Sequence, residues 1–123
     1  MRTILLAIAI LAAAACGPSQ PEVQVIPIAT QAPPPPGEIA CMTALLEGTL
    51  VLDVRSGLGV MGDGGPVIPV QWPNGWRGVA TSPVALVDAD GKVIAHVGDH
   101  LSMGGGFGVD DRFIACPYDM QVS

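Results

Sequence analysis

The stretch Val84-Ala85-Leu86-Val87-Asp88-Ala89-Asp90-Gly91-Lys92-Val93-Ile94-Ala95-His96-Val97 decides how this chain folds. Two short runs of apolar and β-branched residues flank a polar turn, and Gly91 suits the left-handed position of a bulged three-residue hairpin loop. The register such a loop imposes sets Asp88 against Lys92, Val87 against Val93, Leu86 against Ile94, Ala85 against Ala95 and Val84 against His96. Side chains alternate along a strand. One face therefore carries Ala85, Val87, Val93, Ala95 and Val97, and the opposite face carries Asp88, Lys92 and His96. The apolar face is the expected core face.

Outward from this hairpin the chain keeps the same rhythm. Leu50, Leu52 and Val54 alternate with Thr49, Val51 and Asp53, as in a half-buried strand. Val67 to Trp72 reads as another, where Pro69 indicates an edge because it has no N–H to give a ladder. Leu101 to Met103 and Arg112 to Cys116 are further short strands, which makes five or six in all. Only Ile39 to Glu47 has the pattern for a turn or two of helix. The expected class is all-β, a small barrel or sandwich, and the architecture is similar to the five-stranded oligonucleotide-binding type of barrel. Composition agrees: 16 Gly and 12 Pro among 123 residues suit short strands and turns. The length allows one small domain.

Charge excludes one class of partner. The net charge is −6, and the five cations Arg2, Arg55, Arg77, Lys92 and Arg112 are scattered along the chain. No basic footprint for nucleic acid results.

The N-terminus is an address. Met1-Arg2-Thr3 precedes an uninterrupted apolar run from Ile4 to Ala15, then Cys16-Gly17-Pro18-Ser19. The run is too short for the roughly 20 residues a membrane-spanning helix needs, so residues 1–15 read as a signal peptide. Ala13-Ala14-Ala15 before Cys16 resembles the lipobox of bacterial lipoproteins, with Ala13 where leucine is usual. The resemblance covers residues 1–17 alone. It implies that the chain is cut before Cys16, whose thiol carries a diacylglycerol and whose palmitate-like acyl chains anchor the protein in the cell envelope, outside the cytoplasm. The competing cut, by general signal peptidase after Ala13-x-Ala15, would release a soluble protein with a free Cys16. Removal of Arg2 leaves a mature charge of 4 − 11 = −7, so attachment would rest on lipid and not on a basic face.

Residues 16–37 then form the expected tether. Gly17 to Gly37 contains seven prolines and one charge, Glu22, the composition of a semi-rigid spacer that extends up to roughly 65 Å in polyproline conformation. The apolar patch from Val23 to Ile28 is the one part suited to docking as an extra edge strand. Residues 38–123 are the expected β domain, which resembles small bacterial secreted β domains without an assigned activity. Cys41 and Cys116 bracket it, and in an exported protein they are expected to pair.

Several residues qualify as a site, each beside a plainer reading. Trp72-Pro73-Asn74-Gly75-Trp76-Arg77 gathers two tryptophans and an arginine around a turn, the composition of a binding patch; alternatively Trp72 continues the inward series Ile68, Val70 and plugs the core. His96 and His100, with Met61 and Met103, are the candidates for a soft copper site, but strand spacing separates the histidines by about 13 Å, and a tight turn at Gly98-Asp99 puts them on opposite faces. Asp88-Ala89-Asp90-Gly91 matches only the opening of a calcium loop, and Asp63, Asp110 and Asp111 add no pattern to it. Gly57 to Gly65 and Gly104 to Gly108 read as turns. Ser102 near His100 and Asp99 lacks a nucleophile elbow. No enzyme activity and no cofactor are expected. The expected function is that of a membrane-anchored envelope lipoprotein with a binding or structural β domain and an envelope partner; the alternative is a copper- or small-ligand-binding lipoprotein.

Overall fold

The structure, a computed structural model, describes residues 24–36, 41–118 and 120–123. In chain order the strands are β1 (Val25–Ile26), β2 (Ala44–Asp53), β3 (Gly57–Met61), β4 (Val67–Gln71), β5 (Arg77–Val79), β6 (Ala85–Val87), β7 (Val93–His96), β8 (His100–Phe107), β9 (Phe113–Ala115) and β10 (Gln121–Val122). Five of them close a barrel. β2, β3 and β4 form an antiparallel meander, β8 returns to pair with β2, and β9 lies between β4 and β8. The β4–β9 pair is parallel and every other pair in the ring is antiparallel. This connectivity is that of the oligonucleotide-binding type of barrel. The expected all-β class therefore holds.

The strand total exceeds the expected five or six because β5, β6 and β7, inserted between β4 and β8, join β1 from the N-terminal segment in a second sheet ordered β1-β5-β6-β7, and because β10 adds to β8. The barrel interior is filled by Leu46, Leu50, Leu58, Val60, Val70, Leu101, Met103 and Phe113, with Trp72 fully buried among them. Leu52 and Val54, placed by alternation on the face of Leu50, are exposed: Leu52 lies beyond the part of β2 that pairs with β8, and Val54 lies in the turn to β3.

Pro69 does not mark an edge strand, since β4 lies between β3 and β9. The stagger of the barrel explains why it is tolerated. Pairing with β9 begins only at Val70, and the Val70 N–H points to Ser56 on the β3 side. The nitrogen of Pro69 therefore points the other way, where no ladder has begun. The helical turn expected from Ile39 to Glu47 is also corrected: Ala44 to Glu47 belong to β2, and residues 37–40 lie outside the described residues. Gly104 to Gly106 are strand and not turn, paired with β2 and β9, and at Gly105 only glycine fits, since a Cβ there would collide with the Ile114 carbonyl.

The decisive hairpin forms as expected at its loop. Asp88 Oδ1 accepts the N–H groups of Asp90 and Lys92 at 2.9 Å, Gly91 takes φ +86°, and Val87 pairs with Val93. Beyond that pair the register slips by one residue, so that Leu86 opposes Ala95 and Ala85 opposes His96. A β-bulge inverts the facing of everything past it. Leu86 and Ala95 join the barrel core, while Ala85 and Val87 form a separate cluster with Val79 and Val93 is exposed.

The expected tether is partly a structural element. Val25 and Ile26 pair with β5, Ala29 donates to the Ser56 carbonyl and accepts from Trp72, and Thr30 bridges to Trp72. Gln31 completes the contact through its backbone N–H to the Trp72 carbonyl and its side-chain amide to the carbonyls of Ala115 (2.7 Å) and Gln71 (3.1 Å). Residues 24–31 thus form a strap along the β4–β9 seam. The docking anticipated for the Val23 to Ile28 patch occurs over its described part, so residues 24–31, placed in the expected tether, pack on the β domain expected from 38.

Candidate functional site

The strap follows from local chemistry. Pro27 interrupts the ladder to β5, and the chain bends across Gly57 and Gly78, where a Cβ would meet the backbone of Pro27 or Ile26. Gly57 also has φ +77°, a conformation that favours glycine. Beneath it lies a latch. Asp53 accepts from the Ser56 hydroxyl at 2.7 Å and from its N–H at 3.2 Å, Ser56 in turn receives the Val70 N–H, and Arg55 leans on Asp53 at 3.5 Å while donating to the Val67 carbonyl. Burial alone would raise the Asp53 pKa, but the Ser56 hydrogen bonds and the Arg55 partner outweigh it and hold the carboxyl below its ordinary 3.8. The latch fixes the β2–β3 turn on which the strap rests.

Cys41 and Cys116 are joined in a disulfide, with their Cα atoms 5.6 Å apart and 75 residues between them in sequence. The bridge ties the chain beyond the strap to the end of β9. Between strap, bridge and barrel lies a cavity of about 60 Å³ lined by Gln31, Met42, Ile114 and Pro117 together with the bridge. That is room for water, well below the ~300 Å³ at which small-molecule sites begin.

The sequence candidates are dispersed by the fold. Trp72 and Trp76 stack at 6.3 Å between ring centroids and 12° between planes, and both are buried. The Trp72 indole N–H donates to the Leu58 carbonyl at 2.9 Å, so its one polar atom is satisfied inside. Of Trp72, Trp76 and Arg77 only Arg77 is exposed, so the binding patch is corrected: the two tryptophans are core, as the plainer reading had it for Trp72, and Arg77 alone stays at the surface. The Pro73-Asn74-Gly75 turn gathers the rings as expected, but the inserted sheet covers them.

His96 ends β7 in the second sheet and His100 opens β8 in the barrel, with Gly98 at φ +102° turning the corner between the sheets. His96 Nδ1 lies 3.9 Å from Asp99, whereas His100 Nδ1 contacts the Ser123 hydroxyl at 3.3 Å. Met103 is fully buried while Met61 is exposed. Among the described residues, no group of three or more His, Cys, Asp or Glu side chains converges on a metal position. Ser102 turns to Glu47 at 3.4 Å and not to His100. Asp88 and Asp90 are spent on the hairpin loop; Asp110 and Asp111 sit in the β8–β9 loop with positive φ, and Asp63 is exposed in the β3–β4 turn.

The latch, and the part of the strap from Ala29 to Gln31, escaped sequence reading because their partners are backbone carbonyls and scattered polar side chains, which carry no pattern. One signal was present: apolar residues in a proline-rich segment otherwise without them. Cys16 and the leader lie outside the described residues. No protein-family model, curated protein or solved structure matches this chain.

Proposed function

We propose that this protein is a bacterial envelope lipoprotein, held to the membrane by a lipid on Cys16, whose β domain acts by binding or scaffolding an envelope partner. The observation that carries the reading is the Cys41–Cys116 disulfide. A structural disulfide suits an oxidising compartment outside the cytoplasm. It also accounts for two of the three cysteines, leaving Cys16 as the odd thiol directly after the small-residue run Ala13-Ala14-Ala15. The tryptophans are sealed in the core, and an open surface depression of about 340 Å³ lies beside the disulfide between Cys41, Met42, Leu45 and Gly104.

The test is mass spectrometry of the membrane fraction. The expected mature chain begins at Cys16 and carries the mass of a diacylglycerol and a further acyl chain, and Cys16→Ser should abolish both the mass and the membrane association. An unmodified chain beginning at Cys16 in the soluble fraction refutes the reading.

A further inference from the structure

The docked strap changes where the domain must sit relative to its membrane. Were Gly17 to Gly37 a free spacer, the domain could stand roughly 65 Å from the lipid. But residue 24 is already part of the fold. The Ala80 N–H donates to the Gln24 carbonyl at 2.8 Å, Val25 and Ile26 pair with Val79 and Gly78, and the hydrogen bonds of Ala29 and Gln31 fasten the strap to the barrel. Only residues 17–23 separate Cys16 from that first docked residue. Seven residues, even fully extended, reach about 25 Å.

The link arrives at the edge of the second sheet, whose outer side can be read from its pairings. Directly opposed residues share a face of a sheet, so Val25, Val79, Ala85 and His96 lie on one side together with Arg77, Val87 and Val93. This is the side of the second sheet turned away from the barrel, because Leu86 and Ala95 on the other side join the barrel core. The cluster of Val79, Ala85 and Val87 on this side is itself buried, at 9%, 1% and 4% exposure, so what the side presents outward is Val25 and Val93, 59% and 49% exposed, together with Arg77. The strand residues on this side include no carboxylate, in a chain of net charge −6, and Arg77 is their one full charge. The nearest carboxylates flank it, at the Asp88–Asp90 loop and at Asp99.

We propose that the domain is held close to the bilayer that carries its anchor, within the roughly 25 Å reach of residues 17–23, and does not stand off on a long tether. This rests on the lipidation of Cys16 proposed above. The strap acts as a clasp that takes up the proline-rich segment on the protein and leaves a short link to the membrane.

The experiment compares three full-length lipidated chains in phosphatidylcholine vesicles that contain an acceptor-labelled lipid, each chain with a donor dye at Ala80→Cys. The first has no insertion, the second carries a Gly-Ser block of about 15 residues between Glu22 and Val23, and the third carries the same block between Pro34 and Pro35. Such a block adds on the order of 20 Å of reach. Strong energy transfer is expected in the first and third chains, with a several-fold loss in the second alone. Equal losses in the second and third chains would mean that all of residues 17–37 is free spacer, and weak transfer in the uninterrupted chain would place the domain away from the lipid; either result overturns the proposal. Chains that fail to float with the vesicles and carry an unmodified Cys16 overturn the lipid reading and this one together, which separates the two failures.

Discussion

The barrel and the inserted sheet are made of the same material, short strands of valine, alanine, leucine and glycine, yet they bury it differently. In the barrel each strand has a neighbour on both sides, and Leu50, Leu58, Val60, Val70, Leu101 and Phe113 are all at 0% exposure. Ring closure determines every register twice, once from each neighbour. The second sheet is open, so its facing hangs on local turns, and a single bulge at Leu86 and Val87 divides its apolar residues between two clusters. Closure makes a barrel tolerant of a proline in β4 and of three glycines in β8. An open sheet has no such redundancy.

The sharpest way to break the comparison is to open the bridge that secures the closed part. On the chain-entropy account, a disulfide spanning 75 residues contributes about 4.5 kcal/mol. Replacing both Cys41 and Cys116 by alanine should remove most of it, measured as a fall in the urea midpoint with a somewhat steeper slope, because the unfolded chain without its cross-link exposes more surface. A domain whose midpoint hardly moves would show that barrel closure alone holds these ends together.

The seam between the two parts comes next. Trp72 is barrel core and Trp76 stacks on it from the inserted segment, so Trp72→Ala should cost about 3–5 kcal/mol and Trp76→Ala somewhat less. Hydrogen exchange after Trp76→Ala should rise first in β5 to β7, ahead of β2 and β3. If both substitutions leave stability unchanged while the exchange pattern stays flat, the tryptophans are not the coupling between sheet and barrel.

The smallest effect belongs to the latch at the barrel's own turn. Asp53 has its carboxyl held below 3.8 in the fold, so its stabilising contribution is fully present above that ordinary value and is lost as pH falls through the depressed one. Asp53→Asn should therefore cost about 1 kcal/mol at neutral pH, and the gap between variant and parent should close progressively in acid below pH 3.8. A gap that persists unchanged to the lowest pH would assign the effect to packing and not to charge.

The sequence by itself determined the all-β class, the hairpin loop at Asp88 to Gly91, the pairing of Cys41 with Cys116 and the presence of a strand through Leu50. Each of these is local or combinatorial: alternation needs only neighbouring residues, a loop type needs only a glycine at the right offset, and two cysteines besides Cys16 have one way to pair. Tertiary structure alone decided the rest. The burial of Trp72 and Trp76 depended on the inserted sheet coming back over a turn that in isolation looks exposed. The bulge that turned Leu86 inward and Val87 outward was chosen by packing against the barrel, since both registers satisfy the hairpin loop. His96 and His100, four residues apart, went to different sheets because Gly98 turns a corner between them. The strap is held by the carbonyls of Ser56, Gln71, Trp72 and Ala115, groups every residue possesses, and so only the folded backbone could say where a proline-rich segment would stop being a tether.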